Sequence, residues 1–312
     1  MRRSRRNFLI NIAVLAGGAG LIWYARDHII WSAPQTKFAP TGSSGWLAFS
    51  RPGEVLPTIR ATVNGNPVHA LLDSGAQYSV IDRSVAYELG LKQTYAPLVA
   101  VGVGGDAQLG RGTTVDVKVG GLTLNKLKAG VLDIGPLAKR KGLGTPLILG
   151  QDVLRQVVAD IDFPNSRLML AAPAAYKMPL GAKPAPVHAK GRAMATQIWV
   201  NGHQVEAVID TGASMVLALA QDVAEAAGLL KQKGKPRYGS SVVLGGELAG
   251  QVVTAEQVAF GGAVFYDAEV LLYPAQHMPG FPRALLGAGA LKRFRVIVDQ
   301  GKALSLLKPG RS

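Results

Sequence analysis

The chain has no cysteine among its 312 residues. This absence excludes three kinds of site together: a cysteine nucleophile, a metal centre held by thiolates, and a fold stabilised by disulfides. It does not identify the compartment, because a protein without cysteine is compatible with both oxidising and reducing surroundings.

Aromatic and charged residues are also scarce, at 6% and 17% of the chain, whereas 48% of the residues are hydrophobic. The hydrophobic fraction excludes a disordered chain, and the shortage of aromatics means that the cores are built mostly from Val, Leu, Ile and Ala. The 38 glycines and 18 prolines predict many turns between short strands. The length is sufficient for two lobes, each with its own core.

Acidic residues are outnumbered, with 20 Asp and Glu against 34 Lys and Arg, and the formal net charge is +14. Such a charge is compatible with binding to nucleic acid or to anionic lipid. However, no basic run outside the N-terminus is interleaved with aromatics, and no nucleic-acid-binding module has its signature here. We therefore interpret the charge as a scattered basic surface plus a positive targeting segment, and we predict no nucleic-acid partner.

Residues 1–30 have the pattern of a signal anchor. Arginines cluster in residues 1–6, and an apolar stretch follows over residues 8–25. Basic residues before this stretch place the N-terminus in the cytoplasm, so the pattern predicts a single-pass inner-membrane protein with its folded part in the periplasm. Two alternatives stay open: export to the periplasm with cleavage of the segment, and the twin-arginine route, whose signal residues 4–9 resemble.

The chain contains an internal repeat with an offset of 137 residues (210 − 73 = 137). Residues 63–73 align with residues 200–210, and in both copies an Asn-Gly pair joins two apolar runs, the strongest short-range hairpin signal. Residues 85–91 and 223–229 predict a short helix in each copy, ending at a glycine.

The repeat divides the chain into a signal anchor (1–30), a spacer (31–50), an N-terminal lobe (51–170), an interlobe linker (171–191) and a C-terminal lobe (192–312). Val115, Val117 and Val119 alternate with polar residues, which predicts a half-buried strand. Short strands and glycine turns dominate both copies. We therefore predict an all-β fold of two homologous β-barrel-like lobes with a few short helices, preceded by a membrane helix.

An Asp-Ser/Thr-Gly-Ala motif follows an apolar strand in each copy, at residues 73–76 and 210–213. One such motif is a weak signal, because Asp and Gly are ordinary turn residues. Here an apolar triplet ending in glycine follows each motif after the same interval (150 − 73 = 77; 287 − 210 = 77). On these residues the chain resembles the aspartic proteases, specifically bacterial relatives of the retropepsins, as a single chain made of two retropepsin-type halves.

The resemblance implies that Asp73 and Asp210 are the catalytic pair of an aspartic endopeptidase with the acid-protease fold. Two carboxyls that meet at a twofold axis cannot both ionise cheaply, so they share a proton. The ionised partner would take a proton from a water that attacks the peptide carbonyl, and the protonated partner would donate to the oxyanion. The implied substrate is a polypeptide, and the mechanism needs neither a metal nor another cofactor.

The resemblance also implies roles for the residues beside each aspartate. The hydroxyls of Ser74 and Thr211 are expected to hydrogen-bond across the axis. Gly75 and Gly212 would allow backbone N–H groups to approach the carboxylates, where a side chain would obstruct them.

Further support is expected from Gly150 and Gly287, which would let the neighbouring chain pack beneath each aspartate loop. Ala76 and Ala213 follow the retropepsin pattern. Two glycine-rich hairpins are candidate flaps over an extended substrate, although each is equally compatible with an ordinary tight turn. The flap candidates are Val103, Gly104, Gly105, Leu244, Gly245 and Gly246, and which lobe supplies the flap stays open.

Other sites are poorly supported. Residues 102–107 fit a loose dinucleotide-binding fingerprint, but turn and strand rather than a helix follow them. The chain has no nucleophile elbow of a serine hydrolase, and its five histidines lack zinc-ligand spacing. Asp162 and Asp299 occupy equivalent positions and are expected to end strands on the far side of each lobe.

A second function stays open, namely a catalytically inactive two-lobe module that binds peptides. Both aspartates and both adjoining glycines are intact, which favours the enzyme. Because one chain supplies both aspartates, we expect the active unit to be a monomer.

Overall fold

The computed structural model describes residues 11–12, 31–51, 55–101, 107–138, 144–231, 237–243, 246–274, 282–300 and 302–308. Most of this part of the chain is β-strand, and the strands form three sheets. In chain order the strands are β1 (Asn11–Ile12), β2 (Gln35–Phe38), β3 (Leu47–Ala48), β4 (Thr58–Val63), β5 (Asn66–Leu72), β6 (Val80–Asp82), β7 (Gln93–Val101), β8 (Ala107–Val119), β9 (Leu122–Leu132), β10 (Leu147–Leu149), β11 (Val158–Asp162), β12 (Arg167–Ala171), β13 (Lys183–Pro184), β14 (Val187–Lys190), β15 (Ala193–Val200), β16 (His203–Asp210), β17 (Leu217–Ala220), β18 (Arg237–Val243), β19 (Gly246–Phe260), β20 (Ala263–Tyr273), β21 (Ala284–Gly287), β22 (Arg295–Asp299) and β23 (Ala303–Leu307).

Helices are few and short in the described residues. The α-helices are α1 (Arg83–Glu88), α2 (Gln151–Leu154), α3 (Gln221–Ala226) and α4 (Ala288–Leu291), and single 3₁₀ turns lie at Gly135–Leu137 and Leu229–Lys231. After α1 and α3 the chain passes through Gly90 and Gly228, whose φ angles are 60° and 72°. Both helices therefore end at a left-handed glycine, as predicted.

The N-terminal lobe is built on an eight-stranded sheet with the order β2-β9-β6-β10-β5-β4-β8-β7, in which β8 also pairs with β9. Asn64 and Gly65 join β4 to β5 with φ angles of 47° and 85°, the geometry of a type I′ hairpin turn. In β8, Val115, Val117 and Val119 are buried and the residues between them are exposed, which confirms the predicted half-buried strand.

The C-terminal lobe repeats this arrangement on a nine-stranded sheet with the order β1-β18-β19-β20-β17-β21-β16-β15-β14. Asn201 and Gly202, with φ angles of 47° and 80°, make the same turn between β15 and β16. The order β6-β10-β5 in the first lobe corresponds to β17-β21-β16 in the second. The prediction of an all-β fold with two homologous lobes and a few short helices is confirmed.

A third sheet joins the two lobes, with the order β13-β23-β22-β11-β12-β3. In it, β11 of the first half pairs antiparallel with β22 of the second. Arg295 on β22 donates to both carboxylate oxygens of the fully buried Asp160 on β11, at 2.8 and 2.6 Å. Loss of one partner would leave a buried charge unpaired, so this ion pair holds the lobes in one register.

Asp162 and Asp299 are the last residues of β11 and β22, so both end strands as expected. Those two strands pair with each other in the sheet that joins the lobes. Pairing between halves removes the exposed strand edge that each lobe alone would have. Asp162 accepts hydrogen bonds from Asn165 and Arg167 and is a structural residue of this junction.

The two segments between the predicted units contain strands. Within residues 31–50, β2 pairs with β9 and β3 pairs with β12. Within residues 171–191, β13 pairs with β23 and β14 pairs with β15. These strands have only two to four residues, which is too short for an alternating pattern to be recognised in the sequence.

Of the predicted anchor over residues 1–30, the structure describes only Asn11–Ile12, a two-residue strand that pairs in parallel with β18. The rest of the anchor lies outside the described residues. Within the described ranges, none of the helices has both the length and the apolar character needed to cross a membrane.

Candidate active site

Asp73 and Asp210 lie at the ends of equivalent strands. Asp73 follows β5 and Asp210 is the last residue of β16, and both side chains are fully buried. In each lobe a central strand, β10 or β21, runs parallel to the strand that leads to the aspartate and antiparallel to the strand after it. The aspartate loop is thus held on both sides by the same short strand.

One oxygen of each carboxyl is held by backbone N–H groups. Asp73 Oδ1 accepts hydrogen bonds from Gly75 N at 2.8 Å and Ala76 N at 3.0 Å, and Asp210 Oδ1 accepts one from Gly212 N at 2.9 Å. The Oδ2 atoms of both aspartates are buried and have no hydrogen-bond partner within the described protein. Each carboxyl is therefore fixed through one oxygen and presents the other.

The two carboxyls face each other across the lobes. A Cβ built on Gly75 would lie 2.7 Å from Asp210 Cγ, and a Cβ on Gly212 would overlap the carboxyl group of Asp73. Each glycine therefore leaves the space that the opposite carboxyl occupies. Glycine here admits the backbone N–H groups, as expected, and it also makes room for the carboxyl across the axis.

Ser74 and Thr211 connect the two loops with four hydrogen bonds. Thr211 Oγ1 donates to Leu72 O at 2.7 Å and accepts from Ser74 N at 3.0 Å. Ser74 Oγ donates to Ile209 O at 2.8 Å and accepts from Thr211 N at 3.0 Å. These are the hydrogen bonds across the axis that the resemblance implied, and both hydroxyls are buried.

Gly150 and Gly287 pack beneath the aspartate loops. A Cβ on Gly150 would lie 2.8 Å from Ala76 O, and one on Gly287 would lie 2.7 Å from Ala213 O. The same alanine carbonyls accept hydrogen bonds from the N–H groups that open α2 and α4. Any larger residue in place of either glycine would push the loop away from its supporting strand.

Burial is the main cause of the raised pKa values of the two aspartates. It raises the pKa of Asp73 to about 6, although the Ala76 and Gly75 N–H groups, which stabilise the anion, oppose the shift. Burial also raises the pKa of Asp210 well above its usual range, and the negative charge of Asp73 raises it further. A single proton on Asp210, shared with an ionised Asp73, is therefore the favoured state near neutral pH.

This arrangement provides a base and an acid side by side, which is the requirement for activating a water and protonating an oxyanion together. Among the described residues, no group of three or more His, Asp and Glu side chains is placed to hold a metal ion.

The tips of the two candidate flaps lie outside the described residues, apart from Gly246, the first residue of β19. The strands beside these tips form antiparallel hairpins, β7 with β8 and β18 with β19.

Polar side chains that the sequence pattern did not indicate lie below the first loop. Gln151 Nε2 donates to Ser74 O at 2.7 Å, and Ser79 Oγ accepts from Gly150 N at 3.2 Å. Ser79 Oγ also donates to Asp152 Oδ1 at 2.9 Å. Gln151 and Asp152 directly follow the apolar run that ends at Gly150 and recurs in the second half, which was a signal in the sequence. The polar residues themselves do not recur, so the repeat did not reveal them.

A family model described as "Aspartyl protease" matches the chain twice, over residues 59–153 and 196–290. The two matches together cover more than half of the chain, and they begin 137 residues apart (196 − 59 = 137), the offset of the internal repeat. Each match includes one aspartate loop and the glycine beneath it.

Individual relatives agree with this match. DNA damage-inducible protein 1 from Kluyveromyces lactis is 33% identical over 118 residues, which are 36% of this chain and 26% of that protein. The chain thus spans about a quarter of that relative's length.

Among solved structures, an aspartic proteinase from Irpex lacteus is similar in fold, with a TM-score of 0.53 and 13% identity over 86% of this chain and 98% of that one. A retropepsin-like aspartic protease from Rickettsia conorii has 22% identity and a TM-score of 0.32, covering 40% of this chain and 89% of its own. On the strength of the two family matches, the chain belongs to the aspartyl protease family, with the family's unit present twice in one polypeptide.

Proposed function

We propose that this protein is an aspartic endopeptidase that hydrolyses peptide bonds with a water activated between Asp73 and Asp210. The observation that carries the proposal is the pair of buried carboxyls, each fixed through Oδ1 and each with a buried Oδ2 that no described protein group satisfies. Two such oxygens from homologous loops can hold one water and one proton between them.

In the proposed mechanism, Asp73 is the base and Asp210 is the acid. Burial raises both pKa values, but the negative charge of Asp73 raises the pKa of Asp210 further, so Asp73 is the carboxyl that ionises first. It takes a proton from the water as the water attacks the scissile carbonyl carbon. Asp210 donates its proton to the carbonyl oxygen, and the resulting tetrahedral intermediate collapses when the leaving nitrogen is protonated.

The pH dependence follows from the two pKa values. Activity rises as Asp73 ionises, around pH 6, and falls at higher pH where Asp210 loses its proton. A bell-shaped profile of kcat/KM between mildly acidic and neutral pH is the expected result. The range from pH 4 to pH 8 extends about two pH units on either side of the pKa of Asp73. A profile that stays flat over this range would contradict the proposed base and acid.

The proposed substrate is a polypeptide held as an extended strand, and the proposed active unit is a monomer. The hydrogen bonds of Ser74 and Thr211 join two loops of one chain, so both aspartates come from the same molecule. Activity that sediments only with a dimer would contradict the monomer.

We further propose that the protein acts on the extracytoplasmic side of a bacterial inner membrane. The support for this proposal is the arginine cluster and apolar stretch within residues 1–30. Recovery of the full-length chain in a membrane fraction, with its lobes digested by protease added to spheroplasts, is the expected result. Protection from added protease in intact spheroplasts would contradict it.

The central experiment is cleavage of a mixed peptide library by the full-length protein, with and without a statine-type inhibitor. The Asp210→Asn protein serves as the matched control, since it keeps the shape of the side chain and removes the acid. Cleavage that the inhibitor blocks and the variant lacks is the expected result. A folded protein that cleaves nothing at any pH, yet binds peptides, would favour a peptide-binding module instead.

A further inference from the structure

Two arginines from opposite halves of the chain contact each other near the segment that follows Asp73. Arg155 follows α2 and Arg192 precedes β15, so the first comes from the N-terminal half and the second from the C-terminal half. Arg155 Nη2 donates to Arg192 O at 3.1 Å. Within the described residues, neither guanidinium is within ion-pair distance of a carboxylate.

The strand order places Arg192 at the same end of the sheet as Asp210. Arg192 directly precedes β15, and Asp210 is the last residue of β16, which pairs antiparallel with β15. Because the two strands are antiparallel, the start of β15 and the end of β16 lie at the same end of their ladder.

Tyr78 provides the connection to the other loop. Tyr78 lies in the segment between Asp73 and β6, and a Cβ on Gly150, beneath the Asp73 loop, would lie 2.7 Å from its backbone. The Arg192 guanidinium lies over the Tyr78 ring, 4.8 Å from its centroid, and the ring of Trp31 lies 5.1 Å from the same ring. The aromatic ring holds the Arg192 side chain in place across the seam between the lobes.

No carboxylate of the described residues neutralises the charge of this pair. Burial lowers the pKa of Arg155, and the positive charge of Arg192 lowers it further, because the two guanidinium groups repel each other. Two cations held together at a partly buried position are stabilised by an anion, and guanidinium groups bind carboxylates in a two-point geometry. The site has the chemistry to receive a carboxylate from outside the protein.

The second half lacks this feature. At an offset of 137 residues, Tyr78 corresponds to Met215, Arg155 to the exposed Lys292, and Arg192 to Val55. The two halves therefore differ at these positions although their aspartate loops match. A substrate can be read differently on its two sides of the scissile bond.

We propose that Arg155 and Arg192, braced by Tyr78, form a subsite that selects polypeptides with a glutamate or aspartate a few residues from the scissile bond. This inference rests on the proposed function, because it concerns which peptides that site cleaves. An extended peptide advances about 3.3 Å per residue, so each flanking position presents its side chain at a different distance from the two arginines. The excess of Lys and Arg, 34 against 20 acidic residues, would attract such segments at longer range.

The test starts from one peptide that the full-length protein cleaves. Each flanking position is replaced in turn by glutamate and by its neutral isostere glutamine, and kcat/KM is measured for every pair at pH 6.5. At one position we expect the glutamate peptide to be cleaved about tenfold faster than the glutamine peptide, the effect of a charge-assisted hydrogen bond. This ratio should fall when the ionic strength is raised from about 0.1 M to about 1 M.

Variants identify the residues responsible. The ratio is expected to fall to about one in Arg155→Gln/Arg192→Gln, and part of it should remain in Arg192→Lys, which keeps the charge without the planar group. Lys292→Gln is the matched control at the equivalent position of the second half, and it should keep the wild-type ratio. If the double variant does not fold, the test uses Arg155→Gln alone, because Arg155 is exposed. This single variant is expected to lower the ratio.

The possible failures are distinguishable. Equal cleavage of glutamate and glutamine peptides at every position overturns the subsite and leaves the peptidase proposal intact. If the double variant keeps the preference for glutamate, other residues are responsible for it, and the inference is overturned as well. The absence of any cleavage by the wild-type protein overturns both proposals together.

Discussion

In the N-terminal lobe the loop of Asp73 rests on polar side chains, whereas in the C-terminal lobe the loop of Asp210 rests on backbone and small apolar residues. Gln151 and Ser79 hydrogen-bond directly to the backbone of the first loop and its supporting strand, at Ser74 O and Gly150 N. The residues 137 positions later are Ala288 and Val216, which have no polar side-chain atom to offer.

Backbone contacts take over this role in the second lobe. Gly287 N donates to Val216 O at 3.1 Å, and Gly289 N donates to Met215 O at 3.1 Å. A Cβ on Gly289 would lie 2.7 Å from the backbone of Met215, so only glycine permits this approach. In the first lobe that position is Asp152, which reaches the loop through Ser79 instead.

The comparison separates what must be symmetric from what need not be. The contacts that aim the two carboxyls at each other recur in both lobes, through the same motif and the same glycine triplet. The layer beneath them differs, so equivalent loop geometry is compatible with different supports. Variants at equivalent positions should therefore have matched effects in the loops and unmatched effects below them.

The largest effect is expected from Gly75→Ala and Gly212→Ala. Each added methyl group would enter the space of the opposite carboxyl. Because a displacement of about 1 Å at the reacting groups lowers rates roughly a hundredfold, kcat/KM should fall by about that factor or more in both variants. Peptidase assays on protein with a native circular dichroism spectrum check this. Full activity in either variant would show that the two loops do not contact the opposite carboxyl in the same way.

Thr211→Ala is expected to lower the free energy of unfolding by roughly 2–4 kcal/mol, because it leaves a buried carbonyl at Leu72 and a buried N–H at Ser74 unsatisfied. Thr211→Ser is the control, since serine is the residue that the first lobe uses at this position. It keeps the hydroxyl and should cost less than about 1 kcal/mol. Urea unfolding measures both, and equal losses would mean that the methyl group, not the hydroxyl, matters.

Much of the geometry that recurs in both aspartate loops could be predicted from the sequence. The Asp-Ser/Thr-Gly-Ala motif contains its own contacts, since its hydroxyl, its glycine and its N–H groups make the hydrogen bonds that define the loop. The Asn-Gly turns and the glycines after α1 and α3 were predictable for the same reason. Each is a local conformation that few residue types adopt.

The rest depends on contacts that no local pattern records. The shared sheet pairs β11 with β22, more than a hundred residues apart, and both strands are buried runs whose partner could equally have been in the same lobe. The polar support below Asp73 was missed because the repeat was recognised by what the halves have in common, and Ser79, Gln151 and Asp152 are positions where they differ. The paired arginines escaped notice for a similar reason, since residues 155 and 192 meet only across the lobes.

Gln151→Ala makes the first lobe resemble the second and should destabilise the protein by about 1–2 kcal/mol, through the lost hydrogen bond to Ser74 O and the cavity left behind. Gln151→Met is the control, because it fills the same volume and removes only the hydrogen bond. It is expected to lie between the wild type and the alanine variant in urea unfolding. An alanine variant as stable as the wild type would mean that the first loop, like the second, needs no polar support.

The smallest effect is expected at Asp152, and it depends on pH. Burial raises the pKa of Asp152 to about 6, above its usual value, although the Ser79 hydroxyl and backbone N–H groups oppose the shift. A carboxyl with a raised pKa in the folded state contributes stability that is fully present below the unfolded pKa, near 4, and is lost as the pH rises to about 6.

Asp152→Asn removes this titration and keeps an oxygen that can accept from Ser79. The free energy of unfolding of the wild type, measured relative to the variant, should therefore fall by roughly 1 kcal/mol between pH 4 and pH 6, the shift being reduced by partial exposure to solvent. Ser79→Ala is the companion variant, because it removes the hydroxyl that stabilises the Asp152 anion. In this variant the pKa of Asp152 should be higher still, so the decline in the free energy of unfolding should extend to higher pH. A difference between wild type and Asp152→Asn that is constant from pH 4 to pH 8 would mean that this carboxyl ionises normally, and that the polar layer of the first lobe supports its loop through Gln151 and Ser79 alone.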